Sequence, residues 1–581
     1  MTIVLGIEGT AWNLSVAIVD EDDVIVDVTR TYKPATGGIH PREAAQHHAA
    51  HIGETVEEVF RLFEEKGYLK SDIDAVAFSK GPGLGPCLRI VGTAARMISL
   101  MLEKPLVGVN HCVAHIEVGL WKTEAKDPIT LYASGANSQV LAYEEYAPGK
   151  GAYRVFGETL DIGLGNSLDK FARSAGLPHP GGPLIEKYAK EAEKYVDLPY
   201  TVKGMDFFFS GLSTAATRLL KNGSDEKRLE NVCHSYQETA FAMAVEVTER
   251  ALAHTGKNEI LLAGGVGANS RLREMLEQMC ADRGAKFFVP EKKFMGDNGA
   301  MIAYTGLLMF KAGDTLTVEN SFVDAGFRPD EVTVSWKPPK NLNVKEEMKK
   351  MQNGAEAVIR LEEKSYGFEK DRNEKDGYEK NQCENGWVGE KSNDGAGIEK
   401  MIVKERIQKN YRLSQIDLKL RKERTRAEIR MMTEARRCGI PVPIIYGADE
   451  YSIQMEYIDG APLKFLMDEN ETLAVDVGEM IGKLHENHIL HGDLTTSNMI
   501  WSTRDKRIYL IDFGLSFSEN SVESKGVDIH VLFQTFDSSH KNAARLKENF
   551  ENGYRKTCKD AALILKRADE IKMRGRYIEG K

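Results

Sequence analysis

The chain has 581 residues, of which 42% are hydrophobic and 28% are charged, and its formal net charge is -10. A chain of this length is too long for one hydrophobic core, so we expect two to four domains. The acidic balance excludes a protein coated with positive charge, so any contact with nucleic acid has to come from local basic patches.

The 7 cysteines are odd in number and contain no CxxC pair. This argues against a disulfide framework or a zinc ribbon and predicts a reducing, cytoplasmic environment. The opening residues MTIVLGIEGT run directly into a predicted strand without a basic leader. Since no stretch is expected to reach the roughly 18 apolar residues of a membrane helix, we expect a soluble protein with no membrane partner.

Residues 1–325 alternate short apolar runs with helical patterns, which predicts an α/β domain. The predicted strands include TIVLGI, AVAFS, LVGVN, ITLYAS and EILLAGG. A segment rich in Pro, Lys and Glu predicts a linker over residues 326–345, and residues 346–581 form a second predicted domain. Within it, residues 364–396 are polar and without periodicity, which predicts a flexible insertion.

Three glycine-rich turns follow strands of the first domain. GIEGT (6–10) and YASGANSQV (132–140) each stand between two strands, and AGGVGANSR (263–271) leads from a strand into a helix. Glycine lets the backbone approach a phosphate or ribose closely, and helix N-termini supply N–H donors. The three turns together resemble the actin/Hsp70/sugar-kinase ATPase architecture, in which two ribonuclease-H-like lobes surround a nucleotide.

The stretch NHCVAHIE (110–117) places His111 and His115 four residues apart, so a helix would carry both imidazoles on one face. The zinc-protease motif HExxH needs a glutamate directly after the first histidine, and Cys112 occupies that position. The pattern alone leaves two interpretations open: a structural pair, or a metal site for different chemistry.

Five further motifs bear on the choice between a structural pair and a metal site. They are LDIGLGNSLDK, HPGGPLIEK, FSGLSTA, LAGGVGANSRLR and MGDNGAMIAY. With the histidine stretch and YASGANSQV, they resemble the universal tRNA threonylcarbamoyl-transfer (TsaD-like) family, the catalytic subunit of the KEOPS complex, over residues 1–325. The resemblance implies a metal, usually Fe²⁺, whose ligands are His111, His115, Tyr132 and Asp297. It also implies that adenylate binds between the lobes, at Tyr132, Ala133, Ser134, Gly135, Ala136, Asp169, Gly182, Glu186 and Asn269. For Asp169 and Glu186 a surface salt bridge, and for Asn269 a helix N-cap, are the alternative interpretations.

The implied reaction moves a threonylcarbamoyl group from threonylcarbamoyl-adenylate to the N6 amine of adenosine at position 37, next to the anticodon, in tRNAs that read ANN codons. Two imidazoles and an oxygen anion leave coordination positions open, as a Lewis acid requires. The target base has to leave its stack to reach such a cleft. ATP-hydrolysing relatives usually carry an aspartate in the first turn, where this chain has Glu8, so we do not expect conventional ATP hydrolysis here.

The second domain contains HGDLTTSNMI (491–500) followed by YLIDFGLS (509–516). Phosphoryl transfer needs an acid near the nucleophile and two metal ligands at fixed spacing. Asp493 takes the position of the catalytic-loop acid, and Asn498 and Asp512 suit the two metal ligands.

Upstream, Lys404 in IVKERI stands where a strand lysine pairs with the phosphates of ATP. Glu428 is the predicted helix partner of this lysine, and Glu434 is the alternative. MEYIDGAP (455–462) predicts the hinge, where the backbone of Glu456 and Tyr457 would meet adenine.

This domain departs from ordinary protein kinases, because it lacks both G-x-G-x-x-G and A-P-E. The motifs VKERI, RTRxE, HGDLTTSN and IDFGLS resemble the small RIO-like kinase of the same KEOPS complex, over about residues 345–581. The resemblance implies a bilobal α+β kinase-like domain that binds ATP and Mg²⁺, a natural fusion of two subunits with contact between the two domains, and association with other KEOPS subunits. Because the segment that binds a peptide substrate in ordinary kinases is missing, we expect an atypical serine/threonine kinase or ATPase that regulates the complex.

Two basic segments predict contacts with tRNA phosphates. One is the helix from Lys419 to Arg437, and the other is the C-terminus, where Tyr577 would stack on a base. The basic residues of the C-terminus are Lys566, Arg567, Lys572, Arg574, Arg576 and Lys581.

Two other functions stay open at the level of sequence. One is a metallopeptidase with a kinase appendage, against which Cys112 argues. The other is a non-catalytic KEOPS scaffold, against which the retention of both sets of predicted site residues argues.

Overall fold

The computed structural model describes residues 1–34, 38–221, 226–339, 357–366 and 397–574. By their contacts these residues group into two units. Unit 1 contains the described residues of 1–355 and 569–581, together with 409–418. Unit 2 contains the described residues of 356–408 and 419–568.

A five-stranded sheet forms the first lobe of unit 1. Its strands are β1 (Val4–Glu8), β2 (Asn13–Val19), β3 (Val24–Thr31), β4 (Ala75–Gly81) and β5 (Leu106–Asn110), in the order β3-β2-β1-β4-β5. The first three strands are antiparallel neighbours, whereas β4 pairs in parallel with β1 and β5 in parallel with β4. β1, β4 and β5 are buried almost throughout, which explains why they read as continuous apolar runs.

The second lobe repeats this plan. Its strands are β6 (Ile129–Ala133), β7 (Ser138–Ala147), β8 (Lys150–Glu158), β11 (Glu259–Ala263) and β12 (Lys286–Phe288), in the order β12-β11-β6-β7-β8. β6, β7 and β8 form the antiparallel part, and β11 and β12 add the parallel strands. A short pair, β9 (Val202–Lys203) and β10 (Asp206–Phe207), lies apart from this sheet. The repeated order confirms the predicted two-lobed architecture.

Ten helices of unit 1 connect and cover these sheets among the described residues. They are α1 (Pro41–Glu65), α2 (Gly85–Leu102), α3 (His111–Trp121), α4 (Leu164–Ser174), α5 (Gly181–Ala189), α6 (Ser210–Lys221), α7 (Arg228–Thr255), α8 (Ser270–Arg283), α9 (Lys292–Met295) and α10 (Gly299–Lys311). α7 is buried along most of its length in the core of the second lobe. Its buried side chains are not all apolar, because Glu246 and Glu249 are buried as well and need partners of opposite charge.

The helix α2 has 18 residues and a mean hydropathy of 1.2, so by length and composition it could cross a membrane. The expectation that no stretch reaches this length is therefore wrong for residues 85–102. In the fold 44% of this helix is buried, and Val91, Ala95 and Ile98 pack into the core of the first lobe. Core helices of globular proteins meet the same criteria.

Unit 2 begins with an antiparallel sheet of β13 (Ala357–Tyr366), β14 (Gly397–Arg406), β15 (Ile445–Ala448) and β16 (Ser452–Glu456), in the order β13-β14-β16-β15. Short strands β17 (Gly460–Pro462), β18 (Ile489–Leu490), β19 (Met499–Ser502), β20 (Ile508–Leu510) and β21 (Phe517–Ser518) follow. The helices are α11 (Ser414–Arg437), α12 (Leu473–Glu486), α13 (Val522–Ser539), α14 (Ala543–Thr557) and α15 (Ala561–Arg574). A sheet with one long helix followed by a mainly helical part is the predicted kinase-like arrangement.

Two predicted segments lie partly outside the described residues. Of the predicted insertion 364–396, residues 364–366 end β13 and the others are not described. Of the predicted linker 326–345, residues 329–331 form a 3₁₀ turn, and Val334 is buried and bonds with the backbone of Gly151. The first part of this segment thus packs on unit 1.

Residues 409–412, which we call the docked segment, follow β14 in sequence but belong to unit 1 by their contacts. Tyr411 is fully buried in the core of the second lobe, and its hydroxyl donates to Glu249 Oε2 over 3.1 Å. Lys409 also bonds to Glu249, and Arg412 donates to Glu246 Oε2 over 2.6 Å. Both carboxylates come from α7, so an aromatic side chain and two buried ion pairs hold this segment in unit 1.

Candidate metal, adenylate and kinase sites

The junction of β5 and α3 positions the two histidines. Asn110 caps the helix, because its Oδ1 accepts from the backbone nitrogens of Cys112 (3.0 Å) and Val113 (3.1 Å). His111 and His115 therefore lie in the first turns of a buried helix, with ring centroids 4.8 Å apart. The cap explains why the sequence turns from strand to helix at this residue.

Asp297 stands immediately before α10, where Asn298 is the N-cap. Gly299 lets the helix begin against β2, because a Cβ there would lie 2.7 Å from the nitrogen of Ala17. Asn13 Nδ2 donates to the carbonyl oxygen of Asp297 over 3.0 Å. The backbone on both sides of the acid is thereby fixed.

The three side chains converge on one point. His111 Nε2 lies 3.5 Å and His115 Nε2 lies 3.3 Å from the same oxygen, Asp297 Oδ1. One ligand atom from each residue lies within 4.8 Å of the others. Two imidazoles and a carboxylate around a buried point are a donor set that fits a divalent transition metal.

The charges of the cluster favour an ionised acid. Burial acts to raise the pKa of Asp297, but the hydrogen bond with His115 and the charge of His111 outweigh it and hold the pKa below its ordinary value. Burial acts to lower the pKa of His111, but the carboxylates of Glu8 and Asp297 raise it to about 9. Burial lowers the pKa of His115. The acid is thus a carboxylate, the form that can bind a cation.

Tyr132, near the end of β6, lies beside this cluster, with its ring centroid 5.3 Å from that of His115. Its hydroxyl interacts with Ser134 and Cys112. Burial, with the charges of Cys112 and Asp297, raises the pKa of this phenol well above its ordinary value. The structure therefore brings the ring to the site, and a phenolate ligand here requires the compensating charge of a cation.

Glu8, at the end of β1, lies against His111. Its side chain is completely buried, and Oε1 accepts from the backbone nitrogen (2.7 Å) and the hydroxyl (2.6 Å) of Thr10. Its Oε2 lies 3.2 Å from His111 Nδ1. The sequence indicated this position only through its departure from aspartate, and the contact with His111 was missed.

The loop 132–136 is held by two neighbouring turns of the second lobe. Gly165 N, at the start of α4, donates to Ser134 O over 3.0 Å. Gly264 has φ of 90°, and a Cβ there would lie 2.5 Å from Ala133 O, so only glycine brings the turn after β11 this close. The predicted adenylate loop thus meets the turn that leads to Asn269.

Asp169 and Gly182 lie where α4 meets the start of α5. Asp169 Oδ1 accepts from Gly181 N over 2.7 Å, and its Oδ2 lies 3.3 Å from His179 Nδ1. A Cβ on Gly182 would meet only Leu168, at 3.9 Å, so the space beside this residue is open to a ligand. The contact of Asp169 with His179 was not predicted, although His179 belongs to the motif HPGGPLIEK.

Glu186 and Asn269 meet at the start of α8. Glu186 accepts from Ser270 N over 3.2 Å and lies 3.5 Å from Lys190 Nζ. Asn269 is the N-cap of α8, as the alternative interpretation held, and its Nδ2 donates to Gln237 Oε1 over 3.1 Å. Both side chains are therefore fixed by the fold before any ligand binds.

Unit 2 brings the kinase-type residues together around Lys404. Its Nζ donates to Glu428 Oε1 over 2.7 Å and to Asp512 Oδ1 over 2.6 Å. Glu428 Oε2 also accepts from Arg406 over 2.7 Å, a partner that was not predicted from the sequence. Burial acts to lower the pKa of Lys404, but the carboxylates of Asp512 and Glu428 outweigh it and raise the pKa.

The catalytic-loop residues are held by a buried carboxylate. Asn498 Nδ2 donates to Asp493 Oδ2 over 3.0 Å, and Asp493 N donates to His491 Nδ1 over 3.3 Å. Asp528 accepts from the backbone nitrogens of His491 (2.8 Å) and Gly492 (2.9 Å). The loop geometry is thus set from α13.

In the predicted hinge, one backbone N–H group already has a hydrogen-bond partner within the protein. Glu456 N bonds to Ile444 O over 2.8 Å, so this amide already serves the sheet. The ring of Tyr457 lies 5.8 Å from Lys400 Nζ.

The basic helix α11 divides into two sets of side chains. Arg421 stacks on Tyr451 with 4.3 Å to the ring centroid, and Lys422 pairs with Glu450. Four exposed basic residues, spaced 7, 4 and 7 positions apart, lie on one line: Lys419, Arg426, Arg430 and Arg437. Because 18 residues complete five turns, this line, which we call the basic stripe, runs straight along the helix.

The C-terminal basic residues are only partly described. Lys566 is exposed, and Arg567 lies 3.7 Å from Glu523 Oε2. The side chains of Lys572 and Arg574, and residues 575–581 with Arg576, Tyr577 and Lys581, lie outside the described residues.

Comparison with known proteins identifies both parts of the chain. Residues 23–304 match the family model TsaD, tRNA N6-adenosine threonylcarbamoyltransferase, and residues 398–549 match the RIO domain model. The chain is 55% identical over 587 residues to a probable bifunctional tRNA threonylcarbamoyladenosine biosynthesis protein of Methanosarcina acetivorans, with 99% of each chain covered. A protein of the same description from Methanocaldococcus jannaschii is 45% identical over 583 residues, with 99% of this chain and 100% of that one covered. A tRNA N6-adenosine threonylcarbamoyltransferase of Methanococcoides burtonii is 68% identical over 336 residues, which cover 58% of this chain and 98% of that one.

These end-to-end matches do not support the metallopeptidase or the scaffold interpretation. The two matched domains imply a metal ion and ATP as cofactors, and tRNA as the nucleic acid partner. The chain belongs to the family of bifunctional tRNA threonylcarbamoyladenosine biosynthesis proteins, in which a TsaD-type transferase is joined to a RIO-type kinase domain.

Proposed function

We propose that unit 1 transfers a threonylcarbamoyl group from threonylcarbamoyl-adenylate to the N6 amine of adenosine 37, next to the anticodon, in tRNAs that read ANN codons. The observation that carries this proposal is the convergence of His111 Nε2 and His115 Nε2 on Asp297 Oδ1. The same unit holds the loop 132–136 against the first turn of α4, where the backbone nitrogens of Gly165 and Asn166 donate to the carbonyl oxygens of Ser134 and Gly135.

We propose Fe²⁺ as the ion held by His111, His115 and Asp297, with Tyr132 as the fourth ligand. When bound, such an ion supplies Lewis acidity to a carbonyl oxygen of the substrate. The chain itself provides the negative charge of Asp297 and the two oriented imidazoles. The burial of both imidazoles would also keep bulk water away from the reactive carbamoyl group.

Adenylate is proposed to bind in the second lobe. Asp169 and Glu186 are carboxylates that are held in place by Gly181 and Ser270, and carboxylates suit ribose hydroxyls. The open space beside Gly182 would admit the nucleotide, and AMP would be the leaving group.

Unit 2 is proposed to bind ATP with Mg²⁺ and to hydrolyse it or to phosphorylate itself, which would regulate modification. Asp512 and Asn498 would hold the ion, Lys404 would contact the phosphates and Asp493 would orient the nucleophile. The support is the set of contacts that joins Lys404, Glu428 and Asp512. We further propose a cytoplasmic location and association with other KEOPS subunits.

The test is tRNA modification in vitro with preformed threonylcarbamoyl-adenylate. We expect His111→Ala to abolish transfer, because the metal site is lost. Asp493→Ala is expected to keep single-turnover transfer and to lose ATP hydrolysis. Full transfer by the His111→Ala protein would contradict the proposal.

A further inference from the structure

We infer that Glu8 is the positioning carboxylate of the metal site: it holds His111 in the tautomer that leaves Nε2 available to the ion. This inference rests on the proposed function of the site. Its basis is the contact between Glu8 Oε2 and His111 Nδ1, over 3.2 Å inside the lobe.

The chemistry of the pair fixes the position of the proton. A carboxylate accepts hydrogen bonds and cannot donate one, so the proton between the two groups resides on His111 Nδ1. Because Glu8 retains the proton on Nδ1, the proton that His111 gives up to bind an ion is the one on Nε2, the atom that lies 3.5 Å from Asp297 Oδ1. Metal-binding histidines commonly donate their other N–H to a carboxylate in this way.

The carboxylate is itself aimed by its neighbour. Both donors of Thr10, its amide and its hydroxyl, bond to Oε1 at 2.7 Å and 2.6 Å. This leaves Oε2 for His111. The side chain is completely buried, so it cannot reach substrate, and its effect has to pass through the histidine.

The second histidine lacks such support. Within the part of the chain that the structure describes, no group hydrogen-bonds to the buried His115 Nδ1. The two ligands are therefore not equivalent: His111 is fixed from behind by a carboxylate, and His115 is fixed by its place on α3. Because of this difference, a substitution of Glu8 would disturb the orientation of His111 while every proposed metal ligand stays in place.

The test is the affinity of the full chain for Co²⁺, followed by the absorption of the bound ion, in Glu8→Gln. Glutamine keeps the shape and the acceptor for Thr10, but its amide donates to His111 Nδ1 and so drives the ring proton to Nε2. We expect Co²⁺ affinity to fall by about 10- to 100-fold, as for other partners of metal-bound histidines. The matched control is Glu117→Gln, a buried glutamate of the same lobe that bonds to Tyr153 and Trp336 instead.

A second variant, together with AMP binding as a check on the fold, distinguishes the proposed role of Glu8 from simple misfolding. Thr10→Val keeps the charge of Glu8 but removes the hydroxyl that bonds to Glu8 Oε1 and also lies 3.3 Å from His111 Nδ1, and we expect a smaller loss of Co²⁺ affinity. AMP binding by the second lobe should be unchanged in both variants. Parent-like Co²⁺ affinity in Glu8→Gln or in Thr10→Val would overturn the inference, as would an equal loss in Glu117→Gln.

One further arm separates this inference from the function on which it rests. His115→Ala removes a proposed ligand and should abolish Co²⁺ binding. If His115→Ala loses the ion while Glu8→Gln retains it, the role of Glu8 is wrong and the metal site stands. If His115→Ala also retains the ion, the metal site itself is wrong, and the inference falls with it.

Discussion

Inside unit 2 one carboxylate serves two cations. Glu428 accepts from Lys404 through one oxygen and from Arg406 through the other, each over 2.7 Å, and all three side chains are buried. Lys404 and Arg406 are two positions apart on β14, so they point to the same face of the strand. Lys404 also donates to Asp512, so the two carboxylates Glu428 and Asp512 together balance the two cations.

We expect Glu428→Gln to lower the stability of unit 2 by about 3–5 kcal/mol, the usual cost of leaving a buried charge without its partner. ATP hydrolysis should fall in parallel, because Lys404 loses its orientation. Thermal unfolding and an ATPase assay would measure both effects. Glu434→Gln, on the same helix, is the control and should change neither by much; an equal effect of the two variants would contradict the assignment.

Lys404 could be predicted from its motif, but the sequence could not decide whether Glu428 or Glu434 is its partner. Glu428 and Glu434 are six residues apart on a helix, so they lie on different faces. Sequence alone does not tell which face meets the strand. Arg406 was predictable in principle, since the period-2 pattern of a strand puts it beside Lys404.

Among the elements, α11 combines two roles along its length. One face carries Glu428 into unit 2, and the basic stripe of Lys419, Arg426, Arg430 and Arg437 is exposed. The sequence predicted a basic helix for tRNA but treated all its cations alike. The structure distinguishes the exposed side chains of the stripe from the half-buried Arg421, which stacks on Tyr451, and Lys422, which pairs with Glu450.

The double variant Arg426→Ala/Arg430→Ala is expected to weaken tRNA binding by the full chain. Each phosphate contact that is lost should also reduce the slope of log affinity against log salt by roughly 1. Fluorescence anisotropy over a salt series would measure both. Lys422→Ala is the control, because Lys422 is paired with Glu450. For this variant the slope of log affinity against log salt should match that of the parent chain.

The docked segment permits a stability test of its own. Tyr411→Ala should cost about 3–5 kcal/mol in unit 1, because it empties a fully buried aromatic site. Tyr411→Phe removes only the hydrogen bond to Glu249 and should cost about 1 kcal/mol. Denaturant unfolding monitored by hydrogen exchange in α7 would show the difference. Equal stability of the alanine variant and the parent would mean that the segment is not anchored there.

At the scale of the whole molecule, the chain carries two candidate metal sites with different donor atoms. The site in unit 1 offers imidazole nitrogens and a carboxylate, which suit transition metals, whereas Asp512 and Asn498 in unit 2 offer oxygens, which suit Mg²⁺. Different ions should therefore govern the two proposed activities.

We expect a chelator followed by Mg²⁺ alone to restore ATP hydrolysis and not threonylcarbamoyl transfer from preformed adenylate. Transfer should return when Fe²⁺ is added. Both activities can be followed in one preparation. Recovery of transfer with Mg²⁺ alone would contradict the division of the two ions.

The duplicated sheet plan and the order of the two units could be predicted, because strand-turn motifs and kinase motifs are local in sequence. The docked segment could not be predicted. Its partner Glu249 is 160 residues away from Lys409, and a lysine, a tyrosine and an arginine in a polar stretch look the same whether they are solvated or buried. The role of Glu8 was hidden for a similar reason, since His111 lies 103 positions further along the chain.

The docked segment has a consequence for any attempt to divide this protein. The RIO match spans residues 398–549 without a break, yet it contains Tyr411, which completes the core of unit 1. A gene cut at the predicted linker would yield one polypeptide with an empty hydrophobic site beside two buried glutamates, and another with an aromatic side chain and two cations in water. The two products would carry complementary halves of one core, so their boundary in the gene is not a boundary in the folded protein.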